Sequence, residues 1–109
     1  GSFLYNPIVQ VLGASKAYEL PIVIVVCNNS RYAAMRRGHL GYYPGGVSDT
    51  MNMPYGSNIE GPEYHELGSH FGFHGAKVDT VEALGPALQE AIAATREGRT
   101  ATVNVVMKA

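Results

Sequence analysis

Cysteine is almost absent from this sequence. The single Cys27 excludes a disulfide within the chain and fits a reducing compartment. Tryptophan is missing altogether, and charged residues are sparse at 16%. A formal net charge of -1 removes the electrostatic ground for nucleic acid or an anionic membrane surface as partner. No apolar run approaches the ~18 residues of a membrane span, and no signal-peptide pattern is found. The expectation is a cytoplasmic protein with no membrane and no nucleic acid as partner. Zinc lacks its usual spacing as well: His65 and His70 stand five apart, whereas the metalloprotease arrangement sets two imidazoles one helical turn apart. There is no internal repeat and no low-complexity stretch.

What is there is a core. Apolar residues make up 46% of 109 positions, enough for one domain burying ~65% of the surface its unfolded form exposes. Residues 19–32 (ELPIVIVVCNNSRY) organise the rest. Pro21 closes a helical segment, and the apolar run from Ile22 to Cys27 reads as a strand buried on both faces of a sheet. The run stops at Asn28-Asn29, at the carboxyl end of the strand, where open α/β sheets place ligands. Two asparagines there have two readings. They tolerate unusual backbone angles in a turn, or Asn29 lends a side-chain oxygen to a hard cation such as Mg2+. Spacing alone favours the turn.

Upstream, Asn6-Pro7 reads as an N-cap followed by the first helical residue of a helix over 7–18. Ile8, Val11, Leu12, Ser15 and Tyr18 fall on one face of it. The preceding turn, residues 1–6, would offer free N–H groups to an anion, phosphate in particular. Gly1-Ser2 runs straight into Phe3-Leu4-Tyr5 with no initiating Met. It reads either as an expression remnant or as a start inside a motif of a longer protein.

Downstream, residues 31–37 (RYAAMRR) read as a short helix, and residues 36–62 as a long irregular loop. Within it, positions 38–62 hold three prolines, six glycines and three tyrosines with no sustained period. A structureless stretch of that length is usually functional or mobile. His39, Tyr42, Tyr43 and Tyr55 either line a pocket there or pack the loop down. A helix is expected over 63–71 and a strand about Ala76-Lys77-Val78. The last helix is then capped by Asp79 with Glu82 as capping-box partner, and buries Val81, Leu84, Leu88, Ala91, Ile92 and Thr95. Pro86 should kink it mildly, and Gly98 follows its end. Residues 100–107 (TATVNVVM) form the closing strand, parallel to that of residues 22–27. The alternation of helices and strands is that of a parallel α/β sheet.

Gly1-Ser2-Phe3, Pro21 before a buried strand, and Asn28-Asn29 at its end resemble the thiamine diphosphate motif, in which a Gly-Asp-Gly triplet is followed by Asn-Asn. Gly1 then corresponds to the last letter of the triplet, and its Asp ligand is absent. NNSRYAAMRR is similar to the family's Asn-Asn-x-x-Tyr segment, and YHELGSHFGFHGAKVDTVEALGPALQEAI to its late block. The resemblance is to the C-terminal, diphosphate-binding domain of enzymes like acetolactate synthase or benzoylformate decarboxylase. It favours the longer-protein reading of Gly1-Ser2 and the cation reading of Asn29.

The resemblance implies a partial doubly wound parallel sheet, truncated at its N-terminus, spanning residues 1–109. It implies thiamine diphosphate and Mg2+ as cofactors. Asn29 would ligate the metal through its side chain and Arg31 through its carbonyl. Gly1 and Ser2 would approach the diphosphate, with Tyr32 near the cofactor, while Asn28 holds the turn. No catalytic residue lies in this chain, because the glutamate that activates the thiamine ring belongs to a separate domain in this family. The parent would be a decarboxylase (a lyase) or carboligase (a transferase) acting on a 2-oxo acid, and a homodimer or homotetramer. This chain by itself would be inactive. The rival reading is a noncatalytic flavodoxin-like module that binds phosphate or a nucleotide.

Overall fold

The last strand in the chain lies in the middle of the sheet. In the computed structural model, which describes residues 1–53 and 56–108, three parallel strands are ordered β1-β3-β2. They are β1 (Val23–Asn28), β2 (His74–Val78) and β3 (Ala101–Val106). β3 pairs with β1 from Val23↔Ala101 to Asn28↔Val106, and with β2 from His74↔Ala101 to Val78↔Val105. The expected parallel pairing of the first and last strands is observed. Expected as one domain, the chain divides into two compact units: Ser2–Asn29 with Pro62–Ala109, and Gly1 with Ser30–Gly61.

The sheet belongs to the first unit. Helix α5 (Val81–Arg96) covers one face through Ala87, Ala91 and Ala94, which meet Val78, Ala101 and Val103. Of the expected stripe, Ala91 is fully buried as expected, whereas Ala87 and Ala94 take places given to larger side chains. Leu84 and Leu88 do pack at its margin, but Val81 is 84% exposed and Ile92 46%. Small residues let the helix approach the sheet closely, so the buried face is the alanine face. Thr80, not Asp79, is the N-cap, accepting from the Ala83 N–H at 3.3 Å. Glu82 is therefore one residue too early to close a capping box. Pro86 lies inside α5, and Gly98 follows it at φ 81°.

At the amino-terminal side, α1 (Ser2–Tyr5) precedes α2 (Ile8–Ala17). Asn6 does not cap α2. Its side-chain amide donates back to the Ser2 carbonyl at 2.6 Å, so the asparagine closes α1 instead. Leu12 and Ser15 are buried as expected, while Val11 and Tyr18 are exposed. Ser15 Oγ shares a 2.6 Å hydrogen bond with Thr100 Oγ1, which also accepts from the Ile22 N–H at 3.0 Å. One hydroxyl thus fastens α2 and the entry to β1 onto the entry to β3.

The expected helix over 63–71 is instead two 3₁₀ turns, Tyr64–Glu66 and Ser69–Phe71. The chain doubles back here: the Phe73 N–H donates to the Gly68 carbonyl at 3.1 Å, and a Cβ on Gly68 would lie 2.9 Å from that of Phe73. The first turn lies on β2 so closely that a Cβ on Gly75 would overlap the His65 carbonyl.

In the other unit, α3 (Ala33–Tyr42) and α4 (Val47–Thr50) occupy much of the stretch expected to be irregular from 36 to 62. Asp49 Oδ2 accepts from the Gly45 N–H at 3.0 Å, and the Ser48 hydroxyl donates to the Met53 carbonyl at 3.0 Å. These local bonds order a segment that lacks any periodic apolar signal.

Candidate functional site

The carboxyl end of β1 is where apolar sequence gives way to amides. The Asn28 carbonyl accepts from the Met107 N–H at 2.8 Å, so the ladder with β3 holds to the last residue of the strand. Asn29 is the first residue past it, and both asparagines are half-buried. Left-handed backbone is found one position further on, at Ser30, with φ 52°; neither Asn28 nor Asn29 has a positive φ. The turn reading required an asparagine to absorb unusual angles. The left-handed angle of this turn falls on Ser30.

Arg31 and Tyr32 belong to the other unit. Arg31 forms an antiparallel bridge with Asn58. Its two hydrogen bonds run from the Ile59 N–H to the Ser30 carbonyl, 2.8 Å, and from the Tyr32 N–H to the Ser57 carbonyl, 2.7 Å. The Arg31 carbonyl takes no part in that ladder. Gly1 lies in the same unit, and a Cβ there would overlap the Tyr32 ring. Gly1 and Tyr32 are thus brought together, and only bare backbone fits against the ring. Ser2 is exposed at the start of α1.

The other candidates divide differently. His39, Tyr42 and Tyr43 gather at the end of α3, with ring centroids 5.5 Å apart for His39–Tyr43 and 6.2 Å for Tyr42–Tyr43. At 85% and 63% exposure, Tyr42 and Tyr43 form a surface cluster rather than a pocket wall. Tyr55 lies outside the described residues. His65 and His70 fall on separate 3₁₀ turns. Beside them, Lys77 Nζ donates to Glu63 Oε1 at 2.8 Å. That hydrogen bond holds the Glu63 carboxyl below its ordinary range and raises the Lys77 ammonium above its own.

One feature escaped the sequence reading. A cleft of about 510 Å³ opens where β2 and β3 end beside the start of α5, lined by Val78, Thr80, Leu84, Val105 and Met107 among others. The only advance signal for it was the general preference of α/β sheets for ligands at strand carboxyl ends.

The family of thiamine pyrophosphate enzymes, C-terminal TPP binding domain, matches residues 1–105. The chain belongs to this family. That places the TPP-binding domain of a thiamine diphosphate-dependent enzyme on the parallel α/β sheet described above, and removes the ground for a flavodoxin-like module. This TPP-binding domain is also similar to a sulfoacetaldehyde acetyltransferase from Alcaligenes xylosoxydans xylosoxydans, at 25% identity over 91 residues. The aligned part covers 82% of this chain and 14% of the relative, so the chain spans about a seventh of that protein's length.

The residues present suit the cofactor's polar end. Asn29 carries an amide oxygen, Arg31 a carbonyl and Ser2 a hydroxyl, all hard oxygen donors of the kind Mg2+ and phosphate take up. Gly1 has no room for a Cβ because the Tyr32 ring fills that place.

Proposed function

We propose that residues 1–109 are the diphosphate- and Mg2+-binding portion of a thiamine diphosphate-dependent 2-oxo acid decarboxylase or acetolactate synthase-like carboligase. Asn29 gives the metal its side-chain oxygen and Arg31 its carbonyl. Gly1 and Ser2 meet the diphosphate, the first through backbone and the second through hydroxyl or amide, and Tyr32 backs Gly1. Thiamine diphosphate, when bound, supplies the carbon nucleophile and electron sink for breaking or making a bond beside a carbonyl. The chain's own part is to hold the charged end of that group in register. The base that activates it belongs to another domain of a cytoplasmic homodimer or homotetramer, and the choice of 2-oxo acid depends on residues 38–62 together with other domains. Residues 1–109 alone are therefore inactive.

The observation that carries this reading is the left-handed Ser30 beside an ordinary Asn29. With the backbone strain assigned to its neighbour, Asn29 is left as a side chain whose value is its oxygen. The name of the acetyltransferase relative favours the group-transfer branch over simple decarboxylation.

Calorimetric titration of thiamine diphosphate at saturating Mg2+, on the full-length parent, tests the assignment. Losing one polar partner costs on the order of 1–3 kcal/mol, so Asn29→Ala should weaken binding about 5- to 150-fold. Ser30→Gly, which relieves the left-handed residue without touching the donor set, is the control and should bind as wild type. An Asn29→Ala protein that folds and binds normally removes the metal role.

A further inference from the structure

Asn104 is the most deeply buried amide in the sheet, and nothing about packing calls for it. It stands in the central strand β3 at 2% exposure, and its Oδ1 is enclosed with no hydrogen-bond partner among the described residues. Asparagine is disfavoured in strands, and a buried acceptor left unmade carries a cost. A valine would serve the core better.

Its position explains it. Side chains alternate along a strand. Ala101, Val103 and Val105 pack with α5, so Thr102 and Asn104 face the other way. On β1, Val23 packs with α5, which sets Val26 and Asn28 on the same side as Asn104. The register pairs Val26 with Asn104 and Asn28 with Val106. Asn104 therefore lies one strand across from Asn28 and two residues short of it. With strands ~4.8 Å apart and a rise of ~3.3 Å per residue, the two Cβ atoms are roughly 8 Å apart. Two amide side chains with one water between them span that gap. The neighbour on the other flank does not compete, because Lys77, in register with Asn104, is held by Glu63 at 2.8 Å.

We propose that Asn104 is a positioning residue for the Asn28-Asn29 corner. Its carbonyl oxygen accepts through a bridging water from the Asn28 amide and so fixes the strand end from which Asn29 projects. Asn104 touches neither metal nor diphosphate; it acts through Asn28, as supporting groups orient ligands at metal sites. The inference rests on the metal role given to Asn29.

The test uses the full-length protein with two substitutions of one shape. Asn104→Val removes the acceptor, and Asn104→Thr keeps an oxygen. Thiamine diphosphate affinity is measured by calorimetry at saturating Mg2+, and the thermal midpoint beside it. Asn104→Val should bind about tenfold more weakly with a midpoint unchanged or raised, since the enclosed acceptor is gone. Asn104→Thr should stay within about threefold of wild type. The proposal is overturned if Asn104→Val binds within about twofold of wild type, or if Val and Thr lose affinity equally. It is also overturned if Asn104→Val fails to fold or its midpoint falls with its affinity, because a role in the fold then suffices. If Asn29→Ala also binds normally, the site itself is misassigned; if Asn29→Ala loses affinity and Asn104→Val does not, only the positioning role fails.

Discussion

β1 (VIVVCN) and β3 (ATVNVV) are written in nearly the same letters, are equally long, and pair with each other at every position. Their surroundings differ. In β3, Ala101 and Val103 are fully buried, and Thr102 and Asn104 are at 2% exposure. In β1, Val25 is 48% exposed and Cys27 is exposed as well. β3 has a strand on each side and α5 on one face, whereas β1 has β3 on one side and little of α5. A run of β-branched residues states that a strand tolerates burial on both faces. It does not state how many sides the surrounding chain covers.

The sharpest way to break this comparison is a matched pair of truncations. Val103→Ala should cost about 2–3 kcal/mol, from lost transfer energy plus a cavity. Val25→Ala, half in water, should cost less than about 1 kcal/mol. Chemical denaturation of both variants measures the gap, and equal losses would mean that β1 is as enclosed as β3.

A smaller effect is expected where the two strands are tied at their entries. Thr100→Val removes the hydroxyl shared by Ser15 and the Ile22 N–H, for a loss of about 1–2 kcal/mol. Thr100→Ser should restore most of it. If Val and Ser behave alike in the same denaturation assay, the hydroxyl does not join β1 to β3.

The smallest effect belongs to the exposed Lys77–Glu63 pair on β2, the strand flanking β3 opposite β1. The hydrogen bond lowers the Glu63 pKa from 4.5, so its stabilisation is present above pH 4.5 and is lost as the pH falls through the lower folded value. Lys77 is raised from 10.5, so its share is present below pH 10.5 and is lost as the pH climbs through the higher folded value. Lys77→Met should flatten both flanks of the stability–pH curve by slightly lowering the plateau between them, where the pair's contribution is present. A wild-type curve already flat below pH 4.5 would show that the pair contributes nothing.

Element type was legible wherever period and composition agreed. Residues 22–27 and 100–107 announced strands, and α5 announced a helix despite Pro86. The misses have separate physical causes. The buried side of α5 was read correctly at Ala91 and otherwise sought among larger residues, but the sheet also selects Ala87 and Ala94 because close approach matters more than side-chain size. The segment 63–71 has a helical apolar pattern, but its first turn lies against β2, with the His65 carbonyl where a Cβ on Gly75 would be, and that is a tertiary contact no local period encodes. α3 bears out the short helix expected over 31–37 and runs on to Tyr42, whereas α4 arose in a stretch rich in glycine and proline, through side-chain and backbone bonds a few residues apart. At the candidate site, the importance of Asn28-Asn29 was visible in the abrupt end of the apolar run. The left-handed Ser30 beside Asn29 was not, since serine is an unusual choice for that backbone. Asn104 left no mark of its own in TATVNVVM, because only the register shows which residues lie beneath a corner.

The strand order also dictates a schedule. Among the described residues, β1 and β2 each pair only with β3, which follows both in the chain. During vectorial synthesis, at about 5–20 residues per second, β1 leaves the ribosome several seconds before its partner is made. Until residues 101–106 emerge, a run of valines and isoleucine has no native ladder to join, and neither does β2. Both pairings among these three strands therefore wait for the last of them, and a chain halted before Thr100 lacks both.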